Sequence, residues 1–184
     1  MRHTDPRPWT GFAAGFLAGL AATYLMTKLQ NLSGELALPE DEPRSPQHSA
    51  ERGTPESAEE REGQGADATV RAAAAVSRGL FGHELSEKEE RIAGPVMHYA
   101  FGALTGGVYG ALAEVAPAVT RGAGAPFGLA VWLAADEITI PALRLAEPPW
   151  EHPPMVHARA LAAHLVYGTA TEGFRRALRR IRIG

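Results

Sequence analysis

Cysteine is absent from the 184 residues of this chain, which excludes a disulfide, a thiol nucleophile and a thiolate ligand for a metal. The usual motifs of catalysis are missing as well. No glycine-rich loop ends in Gly-Lys-Ser or Gly-Lys-Thr, and no HExxH or ExxH spacing indicates a metal site. These absences favour a protein that is not an enzyme and that binds no metal or other cofactor.

Charged residues are absent from 11–26. This segment belongs to the first of four apolar stretches, each long enough for a helix to cross a hydrocarbon core of about 30 Å: 9–29, 95–116, 122–145 and 156–177. A soluble alanine-rich bundle would need a polar face on every helix. A cleaved export signal would be shorter than the first stretch. We therefore expect an all-α integral membrane bundle of four transmembrane helices.

Acidic residues are concentrated in one segment that has almost nothing to bury. Ten of the 21 Asp and Glu residues lie within 33–67, among proline, serine and glycine, and such a composition is typical of disorder. The sequence thus predicts four parts. They are an N-terminal segment with the first transmembrane helix (1–30), a long disordered acidic extramembrane loop (31–68), short amphipathic or connecting helices (69–92), and three transmembrane helices with a basic tail (93–184).

Ser86 and Glu89 stand three residues apart and match a capping box at the start of a helix. This helix leads toward Pro95, where the missing N–H and the ring of proline predict a kink or a restart.

Arginine is distributed unevenly around the apolar stretches, and this predicts the topology. Five arginines lie within 175–182, and Arg2 and Arg7 precede the first stretch. Because positively charged ends stay on the cytoplasmic side, both termini are expected there and the acidic loop on the opposite side. Beside the bilayer, the C-terminal arginines favour lipid contact over nucleic-acid binding.

Glycine recurs at every fourth position in two of the stretches. The two rows are Gly11, Gly15 and Gly19 in the first stretch, and Gly102, Gly106 and Gly110 in the second. Rows of this kind allow helix backbones to approach closely in lipid. They predict tight helix packing, either within the chain or against a homo-oligomeric or other membrane-protein partner.

Polar side chains fall into three layers under this topology. We expect an outer layer of His98 and His157, a middle cluster of Asp136, Glu137 and His164, and an inner layer of Glu114 and Glu172. Asp136 and His164 both lie within about 5 Å of the centre plane, so either acid of the middle cluster can pair with His164. Pro141 lacks an N–H and is expected to leave the Glu137 carbonyl without its helical partner.

Three interpretations of the middle cluster stay open at this stage. It can hold the third and fourth helices together as a buried polar contact. Its titratable groups at several depths can form a path for protons or ions. In the third interpretation the histidine and the carboxylates hold a metal in a membrane enzyme, although no ligand spacing supports this.

The polar residues set in glycine-rich helices resemble the YagU-like family of bacterial inner-membrane proteins. The resemblance is carried by 98–102 with 110–114, by 127–132 with 135–137 and Pro141, and by 164–168 with Glu172. It covers the three C-terminal stretches and extends to the first, but leaves out the acidic loop. It implies an integral inner-membrane protein of a family linked to survival in acid, without an assigned reaction.

The function expected from the sequence is a non-enzymatic role in the bacterial inner membrane, with the lipid bilayer as partner. Proton or ion handling in acid stress, through the cluster of Asp136, Glu137 and His164, is the leading hypothesis. The alternative is a structural or assembly subunit that packs in a larger membrane complex through the glycine face of the first helix. A metal-dependent membrane enzyme is the third.

Overall fold

The computed structural model describes residues 7–36 and 68–181, and these are helical without a strand. The all-α class is thereby confirmed. The long helices are α1 (Pro8–Leu36), α3 (Glu87–Val115) and α6 (Pro154–Ile181), and α2 (68–76) is short. Between α3 and α6 lie a 3₁₀ segment (Pro117–Gly124), α4 (Ala125–Trp132), a π-helical segment (Leu133–Thr139), α5 (Ile140–Ala142) and a 3₁₀ turn (Pro149–Glu151).

Among the described residues, two helical segments are long and apolar enough to cross a membrane, Pro8–Leu32 and Pro117–Ala142. The helices over the other two predicted stretches, α3 and α6, carry more charged side chains, among them Glu114, Glu172 and Arg175. Four crossings therefore stay a prediction. The predicted acidic loop lies outside the described residues except at its ends, because α1 continues to Leu36 and α2 includes residue 68.

The start of α3 follows from its capping residues. Glu89 accepts hydrogen bonds from the Ser86 N–H at 2.8 Å and from the Ser86 hydroxyl at 2.7 Å, which confirms the predicted capping box. Of the kink or restart predicted at Pro95, the restart does not occur, because one α-helix runs from Glu87 to Val115 through the proline.

Glycine contacts bring α1 and α3 together as antiparallel neighbours. A Cβ built on Gly15 would lie 2.8 Å from the Cα of Gly110, and one built on Gly106 would lie 2.7 Å from the Cα of Gly19. Real Cβ atoms do not make contacts this short, so no larger residue fits without moving a backbone. The two predicted glycine rows thus face each other within one chain.

A second glycine contact joins α4 to α6. A Cβ on Gly168 would lie 2.7 Å from the Cα of Gly128, and one on Gly124 would lie 2.9 Å from the Cβ of Glu172. This contact sets the axial register between the two helices. It brings the helical turns that follow Gly128 beside the turns that precede Gly168.

Small side chains and a few polar ones fill the interior of the bundle, whereas large apolar side chains lie on its exterior. The largest side chains that are completely buried are Glu172, Thr23 and Thr171. Large apolar side chains face outward along the three long helices and the π-helical segment, for example Leu17, Phe101, Val108, Leu133 and Phe174. This distribution is the reverse of that in a water-soluble bundle, where leucine and phenylalanine fill the core.

Candidate polar site inside the helix bundle

The acidic pair Asp136 and Glu137 lies on a π-helical segment that ends beside Pro141. The Ile140 N–H bonds to the Ala135 carbonyl, five residues back, and Pro141 cannot supply the next bond of this series, to Asp136. Because each bond in a π-helix reaches five residues back, the carbonyl left without a partner by Pro141 is that of Asp136. The sequence had predicted the Glu137 carbonyl. Single-turn π segments often mark functional sites.

Glu137 pairs with His157 at the start of α6. Its Oε1 lies 2.6 Å from the His157 Nδ1, and both side chains are partly buried. The other ring nitrogen, Nε2, donates to the Pro149 carbonyl at 2.9 Å, so it carries a proton in every protonation state. The short contact between Nδ1 and Glu137 therefore places an imidazole and a carboxylate where a proton can pass between them.

Asp136 faces His164, which lies about two helical turns beyond His157 along α6. Its Oδ2 lies 3.5 Å from the His164 Nδ1, which is an electrostatic contact and longer than a good hydrogen bond. The same Nδ1 donates to the Ala160 carbonyl at 2.9 Å, so a further proton would be taken up at Nε2. His98 of α3 lies near enough for its charge to interact with that of His164.

A second polar cluster lies at the other end of α6, around Glu172. This carboxylate is 1 % exposed and accepts bonds from Arg175 at 2.7 and 3.0 Å, from Arg176 at 2.5 Å and from the Tyr109 hydroxyl at 3.0 Å. Four donors compensate the loss of water around its charge. The Glu172 carboxylate is therefore held rigidly.

Glu114 extends this second cluster to α3 and α1. Its Oε2 accepts a bond from Arg179 at 2.8 Å, and its Oε1 lies 4.0 Å from Arg175. Arg179 also donates to the Thr10 hydroxyl at 3.1 Å. Arginines of one helix thus tie three helices together at this end of the bundle.

An aromatic layer separates the two clusters. The ring of Phe127 stacks on Tyr109 with centroids 4.3 Å apart and lies 5.7 Å from Tyr167. The Tyr167 hydroxyl donates to the Gly102 carbonyl at 2.7 Å and lies 2.9 Å from the Thr105 hydroxyl. Along α6, the layer falls between His164 and Glu172, which are about 12 Å apart along the helix axis.

The structure brings together most of the residues singled out in the sequence, in partly different pairs. Asp136 and His164 are neighbours, and Glu114 and Glu172 share Arg175. Glu137, however, pairs with His157 of the predicted outer layer, because the π-helical segment directs adjacent acids to different turns of α6.

Sequence reasoning missed the partners of the buried glutamates. Arg175 and Arg179 were interpreted as topology signals, and Tyr109 was not singled out. The spacing of Glu172 three residues before Arg175 is a helical pairing signal that could have identified one of them. No local pattern connects Glu114 to an arginine 65 residues away.

The arrangement can hold and exchange protons at the acid–histidine pairs, and it can hold fixed charge at the arginine end. Within the described residues, no group of three or more His, Asp or Glu side chains is placed to bind a metal. The metal hypothesis thus gains no support from this part of the chain.

In the part of the chain that the structure describes, these features define a helical bundle with polar clusters in its interior and two helices long and apolar enough to cross a membrane. Residues 42–173 match the family described as Protein of unknown function (DUF1440), and the chain belongs to this family. The match begins inside the acidic segment and leaves out α1, whereas the resemblance noted above left out the acidic loop. No curated protein and no solved structure matches the chain.

Proposed function

We propose that this chain is a multi-pass protein of the bacterial inner membrane, with both termini in the cytoplasm, and that it takes up and transfers protons without catalysing a covalent reaction. The observation that carries the proposal is the pair of acid–histidine contacts on one π-helical segment, Glu137 with His157 and Asp136 with His164.

Membrane crossing by α1 and α3 is supported by their apolar exterior. Exposed large apolar side chains follow α1 from Trp9 to Leu32 and α3 from Val96 to Val115, lengths of about 35 and 29 Å. These lengths suit a hydrocarbon core of about 30 Å. In the same orientation, Trp9 and Trp150, both 83 % exposed, lie at opposite ends of the bundle, where tryptophan is enriched in membrane proteins.

Proton uptake is supported by the chemistry of the paired groups. A proton shared between Glu137 and His157 passes between two atoms that lie 2.6 Å apart, without a change of side-chain position. Asp136, the residue before Glu137, faces His164, whose Nε2 is the ring nitrogen that makes no bond to the Ala160 carbonyl. Histidine changes charge near neutral pH, and ionisable groups inside membrane proteins commonly mark proton pathways.

Transfer toward the cytoplasmic end requires passage of the aromatic layer. The hydroxyl groups of Tyr167 and Thr105 lie in this layer, and the Tyr109 hydroxyl bonds directly to Glu172 on its far side. Water or a side-chain rotation would have to bridge the step from His164 to these hydroxyls. The layer would then act as the barrier that limits leakage.

A role in acid stress comes from the YagU-like resemblance alone. Proton handling at the acid–histidine pairs would provide the physical basis of such a role. The family match by itself adds no function to this proposal.

The experiment is proton flux into liposomes that contain the purified full chain and a trapped pH indicator. Asp136→Asn and Glu137→Gln keep the shape of each side chain but cannot titrate. We expect each to lower the flux about tenfold or more. Glu147→Gln, in the exposed turn before α6, is the matched control and should keep the wild-type flux.

Wild-type flux no greater than that of empty liposomes would overturn the proposal. Equal flux in Asp136→Asn, Glu137→Gln and Glu147→Gln would also overturn the proposal. Folding is monitored in each sample by helical circular dichroism, so that a loss of flux is not confused with a loss of structure.

A structural or assembly subunit is the second candidate, favoured by the four-donor environment of Glu172. It cannot dock through the glycine face of α1 as the sequence suggested. The Gly102–Gly110 side of α3 covers that face within the chain. A partner would need another surface, and this candidate predicts co-purification of a second membrane protein together with an absence of flux.

A further inference from the structure

A cavity of about 430 Å³ opens between α1 and α6 at the end of the bundle where Thr10 meets Arg179. Its lining consists of apolar side chains and one guanidinium group: Ala13, Ala14, Leu17, Leu178, Arg179 and Ile181. Two of these residues, Leu17 and Ile181, are 56 % and 78 % exposed. The cavity is therefore accessible from the side of the bundle, where lipid would lie.

Arg179 keeps donors free for a ligand. Its guanidinium has five N–H groups, and it uses one bond to Glu114 and one to Thr10. The side chain is 29 % exposed, so the remaining donors can reach a group that enters the cavity. The two existing bonds hold the guanidinium plane in place, which lowers the entropy cost of binding.

The charge around the cavity favours an anion. The described residues at this end include six arginines and only two glutamates. The arginines are Arg7, Arg121, Arg175, Arg176, Arg179 and Arg180, and the glutamates are Glu114 and Glu172. Both glutamates are already paired with arginines of α6. A net positive field remains beside an apolar cleft.

The cleft has the polarity profile of a phospholipid. Thr10 and Arg179 lie at its polar end, and Leu17 lies about 10 Å farther along α1, toward the bilayer interior in the proposed orientation. A phosphate at Arg179 would place an acyl chain over Ala13 and Leu17. Arginine binds phosphate with two parallel hydrogen bonds. Every phospholipid offers a phosphate, so it is the surplus of positive charge at this end that favours a headgroup of net negative charge over a zwitterionic one.

We infer that the cleft between α1 and α6 is a binding site for an anionic phospholipid of the cytoplasmic leaflet, with its phosphate on Arg179. This inference rests on the membrane location in the proposed function but not on proton transfer.

The test compares the full chain in vesicles of phosphatidylglycerol mixed into phosphatidylcholine with the chain in phosphatidylcholine alone. Phosphatidylglycerol retained by the protein after detergent extraction is measured by native mass spectrometry. Ala13→Leu fills the cleft from an exposed position and should lower retention about tenfold or more. Ala21→Leu, two turns along the same helix and also exposed, is the matched control and should keep it.

Arg179→Gln removes the headgroup contact and should lower retention of phosphatidylglycerol without changing that of phosphatidylcholine. Because this variant also breaks the bond to Glu114, Ala13→Leu decides the result if Arg179→Gln does not fold. Glycerol phosphate and inorganic phosphate serve as soluble competitors. Competition by these ions at millimolar concentration would show a free-phosphate site and would overturn the lipid assignment.

Equal retention of the two lipids by the wild-type chain, or unchanged retention in Ala13→Leu, would refute the cleft as a lipid site. Vesicle flotation separates this failure from failure of the proposed function. A chain that floats with vesicles yet shows no lipid preference refutes only the lipid site. A chain that does not float refutes the membrane location as well.

Discussion

Removal of the Glu172 carboxylate should destabilise the fold more than most single substitutions. Glu172 is 1 % exposed and is the main counter-charge of Arg175, which is itself 8 % exposed. In Glu172→Gln the Arg175 guanidinium keeps only the Glu114 carboxylate, at 4.0 Å. Breaking a buried ion pair on one side typically costs about 3–5 kcal/mol, because one charge stays buried without its partner.

The assay is denaturant unfolding of the full chain in detergent micelles, followed by circular dichroism. We expect Glu172→Gln to lower the free energy of unfolding by about 3–5 kcal/mol, and the double variant Glu172→Gln/Arg175→Gln to recover part of this loss. Arg176→Gln is the comparison on the same carboxylate. Its side chain is 48 % exposed, so solvent screens the pair and the expected loss is about 1 kcal/mol or less.

A loss below about 1 kcal/mol in Glu172→Gln would refute the reasoning, since it would mean that Arg175 finds water or another partner at no cost. Equal losses in Glu172→Gln and Arg176→Gln would show that burial does not control the strength of the cluster.

Two further predictions concern the helix contacts and the start of α3. Gly106→Leu should sharply reduce folded yield in detergent, because a Cβ there meets the backbone of Gly19, whereas Val108→Ala on the exposed face should not; similar yields would contradict close packing. The hydrogen bonds from the Ser86 N–H and hydroxyl, with His83 nearby, lower the pKa of Glu89 to about 2 from 4.5. A lowered pKa stabilises the fold above the unfolded value, so protection of the first turn of α3 from amide hydrogen exchange should fall between pH 4.5 and 2. In Glu89→Gln this pH dependence should be absent, and a wild-type profile in that variant would assign it to another group.

The amino-acid sequence by itself determined the helical class and the positions of the contacts along each helix. Apolar length and the absence of charge over 11–26 specify a long helix, which α1 is. Glycine at every fourth position specifies one small face per helix, because residues four apart lie on the same side. Ser86 and Glu89 specify the start of α3, since capping is a local interaction.

Only the tertiary structure decided which faces meet. Periodicity gives the order of residues on a helix face but not the rotation or axial offset between two helices. The glycine rows could equally have faced a second chain, and it is the antiparallel register of α1 and α3 that joins Gly15 to Gly106 and Gly110. The packing of α6 against α1 brings Thr10 to Arg179, 169 residues away in sequence.

The pairing of the acids also depended on the tertiary structure. Sequence depth put Glu137 level with His164, on the assumption of a regular α-helix. The π-helical segment before Pro141 changes the angular position of its residues, and α6 presents two histidines about two turns apart. Glu137 therefore contacts His157 and Asp136 contacts His164, because backbone register and helix docking together set which side chains come within bonding distance.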